Sequence, residues 1–481
     1  MDWGKSLKKT GKAGYLFKNV AVFTVGSFVS KLLVFFLVPF YTSVLSEAEY
    51  GIADVMQSSL LLLVPLLSVN AGETALRYGL ENTDDRDLIL SEGLKKVLLS
   101  IIPVASVSVI LSFLIPSERV YFLLFIILYI ADSFYEYLLL YCQGLEEVQK
   151  MISGSIACTA LVIAANLLFL LYFRLGIYGY LFAEITAFSG AALLMFHLVD
   201  GAGRLRRAKA NEALSREMTG YGQSMLLYST ASWANNAIDR YFILFMLGSA
   251  QNGLYGVAYK IPAILTTLQR IFAMAWQMSA VQEYKGDDRE SFFSEMYGAY
   301  QTVLIGGCSL IILFVRLIAD LMFRKSFYDA WPLVPPLLIS VVFGALEGFL
   351  GSIALAFKDG KSMGRATGIG AVFNIILNYV LILRFGTFGA SVATLVSYFI
   401  MFFLAFVFVR RHVIIRVNAL RDAAAYILLL LESAVVIRNM HNYFLINCGI
   451  VAVLLILYYK EEYEIIRRSK EIIGERLAKR S

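Results

Sequence analysis

Residues 174–183 read RLGIYGYLFA, and residues 384–393 read RFGTFGASVA. Both fit the pattern R-x-G-x-x-G-x3-A, 210 residues apart. A second echo runs at nearly the same separation. EYGIADVMQ (49–57) and LYGVAYKIP (254–262) lie 205 residues apart and align Tyr50-Gly51 with Tyr255-Gly256. Either match alone is weak. Two at nearly one offset point to a duplicated bundle, the internal symmetry on which many transporter folds are built.

The composition supplies the material for such a bundle. Of 481 residues, 59% are hydrophobic and 16% charged, with mean hydropathy +0.70. Soluble domains run at about 45–50% apolar and about 25% charged. A soluble core does not need the excess; a hydrocarbon interior does. Apolar stretches of membrane-crossing length recur near 17–41, 50–77, 96–115, 119–142, 151–173, 177–198, 221–247, 252–278, 297–318, 333–357, 364–383, 387–409, 420–437 and 442–459. The reading is an all-α polytopic membrane protein with about fourteen transmembrane helices. The first stretch follows MDWGKSLKKTGKAGYLFK, a flank resembling a signal-peptide n-region. Its apolar run is too long and no small-residue cleavage site follows, so it reads as an uncleaved helix.

The echoes pair spans 1–6 with spans 7–12. Six is even, so both copies enter the membrane in the same direction, as parallel-repeat lobes with a site at their interface. The expected organisation is a basic N-tail (1–16), an N-lobe (17–198), an interlobe linker (199–220) and a C-lobe (221–409). Two extra C-terminal helices (410–459) and a basic amphipathic tail (460–481) complete it. Such lobes rock against each other in alternating access. Pro39, Pro65, Pro103 and Pro262 interrupt spans and are expected to kink them.

Lysine and arginine set the orientation. Of the 42, 31 fall on the connections of one side together with both tails. Six, namely Arg119, Arg174, Arg324, Lys325, Arg384 and Arg438, fall on the other side, and Lys31, Arg240, Lys260, Arg270 and Arg316 lie within spans. Both termini are therefore expected in the cytoplasm. The formal net charge of +6 belongs to one membrane face, and no nucleic-acid partner is implied. The tail EEYEIIRRSKEIIGERLAKRS (461–481) spaces isoleucines helically among basic residues and is expected to lie on anionic membrane lipids.

A charge at mid-membrane costs about 2.5–3.5 kcal/mol even on the lenient insertion scale, so it faces the bundle interior or water. At 1.5 Å per residue, Arg240, Lys260 and Lys31 lie roughly 10, 12 and 15 Å below the outer ends of their spans. Three cations at matched depth suit an anionic headgroup, with Asn236, on the face of Arg240, as an amide donor. Neighbours on a helix point about 100° apart, so Asp239 is expected to turn from Arg240 and brace Lys260. Arg77 and Arg270 lie near the inner mouth, Arg77 sharing a face with Glu73 as a structural pair; Arg316 and Asp320 repeat that spacing at an outer end. Asp132 and Glu136 share one face of span 4, with Glu184 in span 6 and Glu347 in span 10. Two neighbouring carboxylates in low dielectric need a cation, so H+ or Na+ is the expected coupling ion. No cofactor or metal centre is indicated: the four cysteines are far apart with no CxxC.

Three stretches carry a family resemblance: GSFVSKLLVFFLVPFYTSVLSEAEYGIADV, NNAIDRYFILFMLGSAQNGLYGVAYKIP and FRKSFYDAWPLVPPLL. They resemble the first, seventh and tenth-span motifs of bacterial polysaccharide flippases, the Wzx-type members of the multidrug/oligosaccharidyl-lipid/polysaccharide exporter superfamily. The resemblance covers spans 1–12 and is most specific at 26–54 and 235–262. It implies flipping of an undecaprenyl-pyrophosphate-linked oligosaccharide across a bacterial cytoplasmic membrane for surface polysaccharide biosynthesis, with polysaccharide polymerase or assembly proteins as partners. An exporter of drugs or organic cations would want an acidic or aromatic cavity, against the matched-depth cations here. A lipid II flippase would carry several arginines in its first two spans, where this chain offers Lys31 and Arg77. An enzyme is excluded by the short connections and by the lack of a phosphate-cradling glycine loop, HExxH or nucleophile–base set.

The charge asymmetry yields a direct test. In a background lacking native cysteines, single cysteines replacing Ser117 or Ser249 are expected to react with an impermeant thiol reagent from outside, and those replacing Ser215 or Ser362 are not. Labelling at Ser215 from outside would overturn the span count and the depths derived from it.

Overall fold

The computed structural model describes residues 37–81, 85–209, 211–284, 286, 288–461 and 467. These are helices joined by short turns, with no strand among the described residues. Lys31 and most of the basic tail lie outside them. The chain divides into two compact units, Met1–Trp233 and Ala234–Ser481. The first holds α1 (Val38–Val44), α2 (Glu47–Leu67), α3 (Ala71–Glu81), α4 (Arg86–Leu114), α5 (Arg119–Gly144), α6 (Val148–Asn166), α7 (Gly176–Leu198) and α8 (Gly201–Arg207). Helix α9 (Glu212–Leu247) runs through the boundary. The second unit adds α10 (Ser249–Ala258), α11 (Pro262–Glu283), α12 (Arg289–Leu313), α13 (Val315–Met322), α14 (Val334–Ala356), α15 (Gly360–Val409), α16 (Ala419–Ile437) and α17 (Tyr443–Leu457).

Eight described helices are long and apolar enough to cross a membrane. The differences from the expected spans have local causes. Span 2 is two helices, α2 and α3, parted at Ser68–Val69–Asn70, where Val69 and Asn70 take φ of 55° and 51°. Pro65, inside α2, has no N–H to give to the preceding turn, which weakens the helix just before this break. Backbone freed inside a membrane must be satisfied by neighbours. Here the Asn70 N–H turns back to the Pro65 carbonyl at 2.7 Å and the Ala71 N–H to Ser68 Oγ at 3.4 Å. The Asn70 side chain donates to the Gly222 carbonyl at 3.2 Å and accepts from Ser229 at 2.9 Å. Span 8 likewise parts into α10 and α11, with Pro262 as the first residue of α11, where a missing N–H costs nothing. Pro103 behaves otherwise: α4 runs unbroken through it. The interlobe stretch 199–220 contains α8 and the start of α9.

Spans 11 and 12 form one helical run of 50 residues, α15, folded at Gly386 (φ 57°, ψ −143°). Gly370 and Met401 press together across the fold, within 2.1 Å of where a Cβ on Gly370 would stand. Thirty-one residues of straight helix would separate them by about 46 Å. The run is therefore an antiparallel hairpin with a glycine as its turn. The matching glycine of the first echo, Gly176, has φ 56° at the start of α7. The second glycine of each copy lets the helix pass a carbonyl: a Cβ on Gly179 would meet Phe169 O at 2.9 Å, and one on Gly389 would meet Leu381 O at 2.2 Å. The repeated sequence is thus a repeated turn.

Each unit ties this turn down in the same way. The Ile177 N–H donates to Glu49 Oε1 at 3.1 Å, and Glu49 also closes a capping box with Ser46 at the start of α2. In the second unit Thr387 donates to Gln251 Oε1 at 2.7 Å. Tyrosines on α5 fill the first unit, their hydroxyls paired inside: Tyr129 to Ser100 at 2.8 Å and Tyr137 to the Ile89 carbonyl at 2.7 Å. In the second, Trp276 stacks on Phe349 at 4.0 Å and donates to the Phe349 carbonyl at 3.0 Å.

The extra helices α16 and α17 are stapled to the rest of the second unit at one end and to each other at the other. Arg316 donates to Asn439 and to the Val436 carbonyl, each at 2.7 Å, between the rings of Trp331 and Tyr443. The bridge to Asp320 expected from sequence is not formed, because these acceptors and rings engage the guanidinium. At the other end Arg421 binds Asp422 and Glu461, and Tyr458 donates to Asp422 at 3.0 Å. In the turn before α15, Asp359 bonds to His412 at 2.8 Å and caps Ser362 N. Those bonds, His412 first, hold its carboxyl down at about 2.

A side chain at φ 57° is strained by roughly 1–2 kcal/mol. Gly386→Val is expected to lower thermal stability in detergent by about that amount. Gly364→Ala, where nothing lies within 4 Å of the added carbon, should leave it unchanged. Equal melting of the two variants would remove the hairpin role from Gly386.

Candidate functional site

The second echo and α9 meet at Asp239, which is 2% exposed. Tyr255 of α10 donates to its Oδ2, as do Tyr259 at 3.1 Å and Thr394 of α15 at 3.4 Å. Its Oδ1 accepts from the Arg240 backbone N–H at 3.0 Å and from the Arg240 guanidinium at 3.3 Å. The pairing differs from the expected turn of Asp239 away from Arg240. The 100° separation governs Cβ directions; an arginine stem is long enough to fold back. Arg240 also donates to the Asn236 carbonyl at 2.8 Å and lies 4.7 Å over the Tyr259 ring. Its charge is therefore presented as half of an ion pair on an aromatic face.

Asn236 sits at the exposed edge of this group and accepts from Tyr398 at 2.8 Å. Tyr398 in turn lies in the field of Glu347 and of Asp239. Glu347, expected among the coupling acids, thus belongs to the neighbourhood of Tyr398. Lys260 is half-buried in the turn between α10 and α11, two residues before Pro262. Arg270 is exposed further along α11.

The first unit carries the acids. Asp132 lies within electrostatic reach of Glu136 and Glu184, and Glu136 within reach of Glu73. Glu73 and Glu136 line one small cavity with Ser68, Asn70 and Ser133, at the break between α2 and α3. Glu73 was expected to pair with Arg77. Arg77 instead bridges Glu81 at 2.9 Å and lies over the Tyr221 ring. Both acids are one turn from Arg77, and Glu73 lines the cavity instead. Four carboxyls, Glu73, Glu136, Asp132 and Glu184, therefore form a string on α3, α5 and α7.

Tyr255, Tyr259, Thr394 and Tyr398 were not singled out as site residues from sequence. A signal existed for two of them. Tyr255 is the aligned tyrosine of one echo, and Thr394 is the residue after the other. The corresponding residues of the first unit, Tyr50 and Glu184, also converge, both in the electrostatic surroundings of Tyr41 and Tyr180. In each unit the two echoed segments come together at a polar cluster.

Comparison with known proteins places these features. Residues 16–281 match the family described as polysaccharide biosynthesis protein. A probable low-salt glycan biosynthesis flippase, Agl15 of Haloferax volcanii, is 25% identical over 223 residues, 45% of this chain and 47% of that protein. The chain thus aligns with about half the length of this curated relative. Among solved structures, lipid II flippase MurJ in an inward closed conformation matches with TM-score 0.65 at 14% identity, covering 93% of this chain and 99% of the other. An inward-facing MATE family multidrug resistance transporter of the MOP superfamily matches with TM-score 0.66 at 12% identity, over 82% and 95%. A MOP superfamily transporter from Pyrococcus furiosus gives 0.61 at 13%, over 85% and 96%. The fold of a multi-pass MOP transporter and the family match agree with the flippase resemblance read from the sequence: the chain belongs to the polysaccharide biosynthesis protein family.

Proposed function

We propose that this protein flips a lipid-pyrophosphate-linked oligosaccharide from the inner to the outer leaflet of a bacterial cytoplasmic membrane by alternating access, both termini facing the cytoplasm. The family match carries the reading, and the relative named as a glycan biosynthesis flippase supports it. Undecaprenyl pyrophosphate is the proposed carrier, and polymerase or assembly proteins the proposed partners. The chain acts as a transporter without enzymatic chemistry.

In this reading Asn236, Arg240 and Lys260, with Lys31, receive the pyrophosphate and the first sugars. Asp239 fixes Arg240 and tempers its charge, so that an anion is attracted and still released. Arg77 and Arg270 draw the headgroup in from the inner side. The coupling ion, H+ or Na+, is taken by the acidic string of the first unit. An ion there offsets the mutual repulsion of Asp132 and Glu136. Glu73, at the cavity beside the helix break, extends that string.

At an effective dielectric near 20, a unit charge about 5 Å away contributes roughly 3 kcal/mol per unit of substrate charge, before water and the Asp239 counter-charge reduce it. Arg240→Ala is therefore expected to lower export on the order of tenfold to a hundredfold, with Arg240→Lys retaining more because the charge survives. The readout is surface polysaccharide in a flippase-deletion strain, with membrane protein level checked alongside. Full export by a stable Lys31→Ala, Arg240→Ala double variant would rule out the cationic site.

Asp132→Asn and Glu136→Gln are each expected to insert normally and to weaken the dependence of transport on the coupling ion. Unchanged transport with unchanged ion dependence in both would move the coupling site elsewhere.

A further inference from the structure

The extra helices contain a carboxyl that the transport reading leaves unused. Glu432 on α16 and Asn447 on α17 are both fully buried. Ser309 of α12 donates to Glu432 Oε2 at 2.8 Å, and the Asn447 amide nitrogen lies 3.4 Å from the Glu432 backbone oxygen. Glu432 Oε1 and Asn447 Oδ1 have no hydrogen-bond partner among the described residues. No Lys, Arg or His among them pairs with the carboxyl; its surroundings are burial and the Ser309 hydroxyl.

Two acceptors cannot satisfy one another, and buried acceptors are rarely left bare. An unpaired charge inside an apolar bundle is costlier still. We propose that Glu432 and Asn447 form a proton-binding site in the extra helix pair, with a proton on Glu432 Oε1 donated in a hydrogen bond to Asn447 Oδ1. One proton, taken up from water, serves both bare oxygens and removes the charge. It also makes the seam between α12, α16 and α17 a neutral staple.

The charged group nearest along α16 is Arg316 of α13, at the Val436 carbonyl one turn from Glu432, and it is held by Asn439 and the rings of Trp331 and Tyr443. Helix α12 presents Cys308 and Ser309, the thiol lying in the field of Glu432. Helix α17 presents Asn447, with Cys448 beside it and Tyr443 one turn away. Helix α14 carries one titratable residue, Glu347, which lies by Tyr398. On α16 itself, Arg421, Asp422 and Tyr426 sit toward the other end, engaged with Tyr458, Glu461 and Gln301. The Ser433 hydroxyl also has no hydrogen-bond partner among the described residues, which makes sodium the rival occupant.

Infrared difference spectra of the full-length protein in lipid nanodiscs test the assignment. At neutral pH the wild type is expected to show the carbonyl stretch of a protonated carboxylic acid, downshifted in heavy water. The band should be lost in Glu432→Gln and raised in frequency in Asn447→Leu, which removes the acceptor. Glu432→Gln, close in shape to the neutral acid, should insert at the wild-type level. Should Asn447→Leu fail to insert, the wild-type band and its loss in Glu432→Gln still decide. A carboxylate band in place of the acid band in the wild-type minus Glu432→Gln difference at neutral pH would overturn the proposal. So would an acid band that disappears when sodium is added at constant pH, or one that Asn447→Leu leaves unmoved.

Discussion

A carboxylate in an apolar medium must find its donors within the protein, and Asp239 draws its donors from three separate helices. Tyr255, Tyr259 and Thr394 turn their hydroxyls to one oxygen, and Arg240 serves the other. Moving α10 or α15 away from α9 would strand that charge. The break between α10 and α11 falls just beyond Tyr259, so its geometry is set on one side by this carboxylate and on the other by Pro262. The polar group therefore does structural and electrostatic work together. It locks the core of the second unit, and it sets how much positive charge Arg240 shows.

The two units use opposite chemistry on a related frame. The position that is Thr394 in one copy is Glu184 in the other, and the aligned tyrosine recurs as Tyr50 and Tyr255. In the second unit a hydroxyl supports an ion pair containing the arginine. In the first, an acid joins Asp132, Glu136 and Glu73, and no arginine follows them into the string. Duplication supplied the frame. Divergence at a few interior positions left an arginine ion pair in one half and a string of acids in the other.

The frame was legible in the sequence because glycine patterns record backbone geometry. Gly176 and Gly386 stand where φ is positive, and Gly179 and Gly389 where a carbonyl passes too close for a side chain. Such positions leave a mark in the residue type itself. Side-chain partners leave a weaker one. Arg77 has an acid one turn away on either side, and only the structure shows that Glu81 is the one it meets. Arg240 was assigned away from Asp239 by treating side chains as short spokes, which an arginine is not. Proline was ambiguous in the same way: Pro262 opens a new helix, while α4 runs on through Pro103.

The glycine turn in α15 bears on how the chain enters the membrane in the first place. A hairpin whose ends are joined by one non-helical residue has no slack, so its first helix cannot settle alone and wait for the second. Both halves must cross together as a preformed pair, carrying the turn and Arg384 beside it as one unit. Synthesis must therefore have delivered most of residues 360–409 before either helix can take its final place. The ten-residue echo of a turn is also a constraint on timing, imposed during biogenesis and invisible in the finished bundle.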